Sequence, residues 1–212
     1  MLQTRILLVR HGETEWNIAG RLQGWQDSPL SARGLAQVHR LAEALIGCAA
    51  VALVASDAGR AVATAGVIGD RIGLATRLDA RLREISFGSV EGLTRAALPP
   101  EIETARAQIM AMDPSCNVAL AGGESPATVS ARVWSCLDEL ASRHAGSTVV
   151  VVSHGGVLAS VLRTVLGIPA GAPRRFRIGN TAVVQVVRRH EAEPWAIEFD
   201  DLDPVSPASS PA

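Results

Sequence analysis

The chain has 212 residues, 48% of them hydrophobic and only 3% aromatic, with a formal net charge of −1. That is enough apolar material for one domain cored by Ala, Val, Leu and Ile, and the charge balance offers no polycationic surface for nucleic acid or an acidic membrane. All 20 basic residues are arginine, which excludes lysine Schiff-base chemistry and any P-loop lysine.

Residues 5–9 are a short apolar run and predict a buried strand, followed by a polar loop over 10–29. Ser31 is a natural N-cap for a helix through residue 46, with Leu35, Val38, Leu41, Ala42 and Leu45 on one face. A second strand is predicted at 51–55 and a second helix at 58–72. The β-α-β-α alternation is the signal of a parallel sheet covered by helices on both faces. Residues 84–123 change character. "FGSVEG", "LPPE" and "MDPSCN" interrupt short helical stretches, which predicts a small insertion folding over one edge of the sheet. Beyond it come a long helix at 126–143, the most apolar strand at 147–153 and a helix at 156–166. Residues 181–188 and 195–199 are expected to pair as later strands, and 204–212, rich in Pro, Ser and Ala, to form a disordered tail. The expected architecture is one domain over 1–203, a three-layer αβα sandwich with a mostly parallel central sheet and a small helical insertion. Cys48, Cys116 and Cys136 are odd in number and widely spaced, which fits a reduced, cytoplasmic setting. No signal-like apolar segment or membrane-length run is visible.

Two apolar runs end in the same way. "LLVRHGETEWN" at 7–17 stops on Arg10-His11-Gly12, and "VVVVSHGGVLA" at 149–159 stops on Ser153-His154-Gly155. A third predicted strand is followed by Ser56, Asp57 and Arg60. Ligands of open parallel sheets bind beyond the carboxyl ends of the strands, so Arg10, His11, Arg60 and His154 converge on one edge. Two arginines and two histidines repel each other unless an anion lies between them. A phosphoryl group suits them, because the guanidinium fork matches its oxygens, Gly12 and Gly155 admit backbone N–H groups, and a helix N-terminus follows Gly155. No Walker pattern and no metal-type carboxylate spacing is present.

The same segments resemble the histidine phosphatase superfamily, the phosphoglycerate-mutase-like enzymes. "RLQGWQDSPLSARG" at 21–34, "SDAGRAVATA" at 56–65, "LREISFGSVEG" at 82–92, "GGES" at 122–125 and "VVSHGG" follow the opening motif in the family's order. The resemblance implies that His11 is the nucleophile and becomes phosphohistidine. Arg10, Arg60 and His154 would surround the phosphoryl oxygens, and Glu84 would give the leaving group its proton. Asn17, Gln23, Gly24 and Gly155 would complete the phosphate contacts. Val90 stands where the family commonly has tryptophan, which bears on pocket shape.

Bland roles compete for several of these residues. Glu84 could be a surface acid paired with Arg81 or Arg83, and Glu13, beside His11, is a rival proton donor. Glu124 is expected to fix an arginine or the insertion, and Thr14 and Asn17 to cap a turn. Trp16 and Trp25 are expected to pack, and His39, His144 and His190 to be solvated. Arg174, Arg175 and Arg177 are expected at the surface, where they could attract an anionic substrate. The function expected is a phosphomonoester phosphatase acting on a small phosphorylated metabolite, without cofactor or metal. No nucleic-acid or membrane partner is expected, and a homodimer is left open. A phosphoglycerate mutase and a non-catalytic phosphate-binding module are the alternatives.

Overall fold

The computed structural model describes residues 3–189 and 193–198. The expected tail at 204–212 and His190 lie outside the described residues. Strand β1 (Thr4–Arg10) leads through a one-turn helix, α1 (Glu15–Ile18), to α2 (Ala32–Ala44), then β2 (Ala50–Ala55), α3 (Gly59–Ile72) and a short strand β3 (Thr76–Leu78). The insertion carries 3-10 turns and α4 (Pro100–Met110). It is followed by α5 (Pro126–Arg143), β4 (Thr148–Ser153), α6 (Gly155–Val165), β5 (Val183–Arg188) and β6 (Ala196–Glu198).

The six strands form one sheet in the order β3-β2-β4-β1-β5-β6. The pairings within β3-β2-β4-β1 are parallel, while β1–β5 and β5–β6 are antiparallel. All six residues of β4 are buried, as expected of a central strand covered on both faces. Fully burying one such valine contributes about 1.5–3 kcal/mol. Side-chain alternation divides the core. Ile6, Leu8, Val149 and Val151 face α5, α6 and the insertion, whereas Leu7, Val9, Val150 and Val152 face α2 and α3.

Helix boundaries are set locally. The Ser31 hydroxyl accepts from Gly34 N–H at the start of α2, and the Ser125 hydroxyl accepts from Thr128 N–H at the start of α5, where Pro126 occupies the first turn. Gly73 in the left-handed conformation ends α3.

Three expectations need correction. Leu35 is 43% exposed; it lies on the rim of a surface cleft with Leu30, Ala32 and Ala63 instead of on the buried face of α2. The insertion does not merely cover an edge. Phe87, Val90, Leu98, Ile109, Met112 and Leu120 join the core on the α5/α6 face. The edge strand β3 was not anticipated, because Thr76-Arg77-Leu78 has no buried residue to reveal it.

Candidate active site

The register of the sheet builds the site. Arg10 pairs with Ser153 across the β1–β4 ladder, so the next residues, His11 and His154, leave adjacent strands side by side. Their rings lie 5.3 Å apart in an edge-on arrangement. The His11 amide continues the ladder, donating to the Ser153 carbonyl at 2.9 Å. From β2, the Ser56 amide bonds the Val152 carbonyl at 2.9 Å, and the Ser56 hydroxyl lies 2.8 Å from His154 Nε2.

The two imidazoles are buried and held differently. His11 Nδ1 lies 2.7 Å from the Gly12 carbonyl. A carbonyl only accepts, so Nδ1 carries the proton and Nε2 bears the free lone pair. Burial first, then the charges of Arg10 and Arg60, push the His11 pKa well below its ordinary value. The His154 pKa is also pushed well down, by burial and then by Arg60. His11 is therefore a neutral imidazole at neutral pH, the form able to attack.

Arg60, 1% exposed, is clamped near the N-terminus of α3. Its Nη1 donates to the Gln26 carbonyl and to Asp27 Oδ1, both at 2.9 Å, and its Nη2 to the Gly24 carbonyl at 2.8 Å. Arg10 Nη1 donates to the Ile178 carbonyl at 2.6 Å. The Nε–H groups of both arginines are buried without an acceptor, as is His154 Nδ1. Buried, unmet Nε–H donors on two guanidiniums cost desolvation energy that an anion would offset. Burial lowers the Arg10 pKa, opposed by the Glu84 carboxylate.

Glu84 reaches the same place from the loop after α3 and β3. One carboxyl oxygen accepts from the Ile85 amide at 2.9 Å and the other from the Gly156 amide at 3.0 Å. A Cβ at position 156 would collide with this carboxylate, so Gly156 permits the approach. The surface pairings considered for Glu84 go elsewhere: Arg81 binds Asp79 and Glu139, and Arg83 binds Asp57. Arg132 fixes the loop, donating to the carbonyls of Arg81 and Arg83 at 2.7 Å and of Glu84 at 3.0 Å while paired with Glu124. Glu124 thus has the structural role expected of it.

Glu13 is committed elsewhere. Its carboxylate accepts two bonds from the Arg33 guanidinium and one from the Ser31 hydroxyl, and the Arg33 bond leads in holding its pKa below the usual carboxylate range. Such a carboxylate has no proton to donate at neutral pH. Trp25 is 49% exposed and is not the packing residue expected. It stands at the mouth, where its indole N–H donates to the Glu84 carbonyl at 3.0 Å and its ring lies under the Arg83 guanidinium, 5.0 Å away. Gly24, Trp25, Asp57, Ala58, Arg83 and Glu84 line a cleft of about 220 Å³.

The assigned phosphate-contact residues divide. Gly155 opens α6 beside Arg10; a Cβ there would lie 3.3 Å from Arg10 Nε. Gln23 is buried with Oε1 unpartnered. Gly24 contributes its carbonyl to Arg60 and, at φ +53°, avoids a collision with Glu91 that any side chain would create. Asn17 closes a capping box with Thr14, as expected, and also receives the Asn180 amide at 3.2 Å.

Asn180 itself was missed. Its amide also donates to the His11 carbonyl at 3.1 Å, so it ties α1 to the His11 backbone. Nothing in its spacing announced this; the antiparallel start of β5 delivers it. Arg132 was also missed, as was Glu91, whose carboxylate accepts from the Trp25, Gln26 and Phe87 amides, whereas the doubled glycine in "SHGG" was a readable signal for Gly156. Among the described residues no group of three or more His, Cys, Asp or Glu side chains could hold a metal, and no helix is long and apolar enough to cross a membrane.

Comparison with known proteins identifies the family. Residues 6–200 match the model of the histidine phosphatase superfamily, branch 1. A protein of Yersinia pestis (strain Pestoides F) called "Probable phosphoglycerate mutase GpmB" is 38% identical over 195 residues, 92% of this chain and 88% of that protein. The native structure of a mycobacterial glucosyl-3-phosphoglycerate phosphatase is 32% identical with a TM-score of 0.81, covering 92% of this chain and 97% of the other. That phosphatase has also been solved with VO3 and with inorganic phosphate. YhfR of Bacillus stearothermophilus is 31% identical with a TM-score of 0.79, over 92% of this chain and 94% of its own.

Proposed function

The chain belongs to the histidine phosphatase superfamily, and from that premise we propose that it hydrolyses phosphomonoesters through a phosphohistidine on His11. One observation carries this reading. His11 Nδ1 is held by the Gly12 carbonyl, leaving Nε2 as a neutral nucleophile among buried guanidinium donors that lack acceptors.

In the first step His11 Nε2 bonds to phosphorus, the bond from phosphorus to the alcohol oxygen breaks, and protonated Glu84 supplies a proton to that oxygen. In the second, water attacks the same phosphorus, Glu84 takes the water's proton, and the P–N bond breaks to return neutral His11 and inorganic phosphate. Arg10, Arg60 and His154 stabilise the charge spread over the equatorial oxygens. Dividing one displacement into two lowers each barrier. Neither step calls on a metal, so turnover should persist after exhaustive EDTA treatment.

The test uses single-turnover phosphoenzyme formation, trapped at neutral or alkaline pH because acid destroys a phosphoramidate. Label should appear on His11. Glu84→Gln should slow phosphorylation by an alkyl phosphate far more than by p-nitrophenyl phosphate, whose leaving group needs little protonation. Label on serine or cysteine, or equal losses for both leaving groups, would reject the assignment.

The relative named as a phosphoglycerate mutase supports a second reading, in which the phosphoryl group passes to a product-like acceptor instead of water. Hydrolysis is preferred because the insertion's arginines, Arg95 and Arg106, are both bound to Glu103 and supply no second clamp for such an acceptor. Phosphorus NMR with 3-phosphoglycerate distinguishes the readings: free phosphate for a hydrolase, 2-phosphoglycerate for a mutase.

A further inference from the structure

We propose that Trp25 is a positioning residue: its indole N–H fixes the plane of the Glu84–Ile85 peptide and so aims the Glu84 carboxylate. The proposal rests on the role given to Glu84 in the hydrolase reading and adds the residue that holds that group in place.

The geometry converges on one peptide unit. The Glu84 carbonyl accepts from Trp25 Nε1 at 3.0 Å and from Arg132 Nη2 at 3.0 Å, so both of its lone pairs are used. The N–H of the same unit, on Ile85, donates to one oxygen of the Glu84 carboxylate at 2.9 Å. A peptide unit is planar. Turning its carbonyl therefore turns the Ile85 N–H with it and withdraws one of the two amides that hold the carboxylate. The other, from Gly156, lies 3.0 Å from the second oxygen. Trp25 grips the carbonyl end of this unit, and the carboxylate answers at the N–H end.

Trp25 is 49% exposed, yet its surroundings hold the bond. Its own amide donates to Glu91 Oε1 at 3.1 Å, and the Gln26 amide to Glu91 Oε2 at 2.9 Å. The same carboxylate accepts from the Phe87 amide at 2.9 Å and the Ser86 hydroxyl at 3.0 Å, which fastens the Trp25 segment to the loop carrying Glu84. The carbonyls of Gly24 and Gln26, on either side of Trp25, accept from the Arg60 guanidinium. Arg83 lies over the indole ring and is itself pinned by both oxygens of Asp57, at 2.7 and 2.6 Å.

The two donors on the Glu84 carbonyl are not equivalent. Arg132 also holds the Arg81 and Arg83 carbonyls and pairs with Glu124, so its loss would loosen the whole loop. An indole has one donor, and Trp25 gives it to Glu84 alone. Trp25 is thus the handle that can be removed separately.

The test measures single-turnover phosphoenzyme formation in Trp25→Phe, which keeps a ring and removes the donor. Phosphorylation by an alkyl phosphate should slow about 3- to 10-fold, the range for one hydrogen bond, and by p-nitrophenyl phosphate much less. In a Glu84→Gln background the same substitution should add almost nothing, because it acts through the carboxylate. Trp134→Phe, which removes an indole N–H that reaches Thr164, should leave both rates as they are. Equal losses for the two leaving groups, or losses that multiply in the double variant, would mean a general structural role and overturn the proposal. The Ile85 amide proton, followed by NMR in isotope-labelled protein, gives a reading independent of turnover. Its resonance should move upfield in Trp25→Phe, the direction it takes in Glu84→Gln, and stay in place in Trp134→Phe. An unmoved Ile85 amide in Trp25→Phe overturns the proposal even where rates change. If the parent forms no phosphoenzyme, the hydrolase reading fails, and the amide shift alone decides whether Trp25 aims Glu84.

Discussion

The two strand–His–Gly units look interchangeable in sequence but differ in the fold. After β1, His11 enters a loop, presses its Nδ1 on the adjacent Gly12 carbonyl and keeps Nε2 free. After β4, His154 is the N-cap of α6, its Nε2 lies against Ser56 and its Nδ1 has no partner. The difference teaches that a histidine's task is set by which nitrogen its neighbour occupies. A carbonyl one residue away fixes a nucleophilic tautomer. A hydroxyl from another strand fixes an orientation.

The comparison can be broken most forcefully at His11. His11→Ala should lower kcat by at least about 10⁴-fold and abolish trapped phosphoenzyme, since removing a nucleophile removes the covalent route. His154→Ala should cost about 10²–10³-fold, the scale of one lost transition-state donor, with the label still on His11. Label that disappears in both variants at equal rates would erase the distinction. Ser56→Ala leaves both His154 nitrogens unpartnered and should cost about 10-fold or less, from the loss of one ordinary hydrogen bond.

Acid offers the mildest test, because it acts on the two histidines alike. Both have pKa values pushed well below 6.5 in the fold. Above pH 6.5 folded and unfolded chains carry them neutral, so they add no pH dependence. Below it the unfolded chain binds protons that the fold refuses, and stability falls as pH falls. Denaturant midpoints at pH 7.5 and 5.5 should show this decline, and His154→Asn should make it shallower. A midpoint that rises on acidification would contradict the buried neutral pair.

Much of the site was legible because its residues sit at strand ends, where apolar runs stop abruptly. β1, β4, α3 and α5 fall within two residues of their expected bounds. What escaped the sequence was what approaches from afar. Asn180 reaches His11 across 169 positions, and only the antiparallel sense of β5 puts it there. Arg132 acts from a helix whose charged residues resemble any solvated face, and it is recognisable only once three carbonyls converge on it. Glu13, kept as the rival proton donor for its proximity to His11 in sequence, turns its side chain toward α2 and Arg33.

One rung of the sheet has a consequence for how this molecule fails. The His11 amide is bonded to the Ser153 carbonyl at the carboxyl end of two central strands, of which β4 is buried throughout. Amides in such ladders exchange with solvent deuterium only through the largest openings a protein makes. The His11 amide should thus be among the slowest of the chain to exchange, as expected if the site does not melt apart from the sheet. On heating, loss of the His11 geometry and loss of the fold should be one event, whereas the cleft around Trp25 can loosen long before.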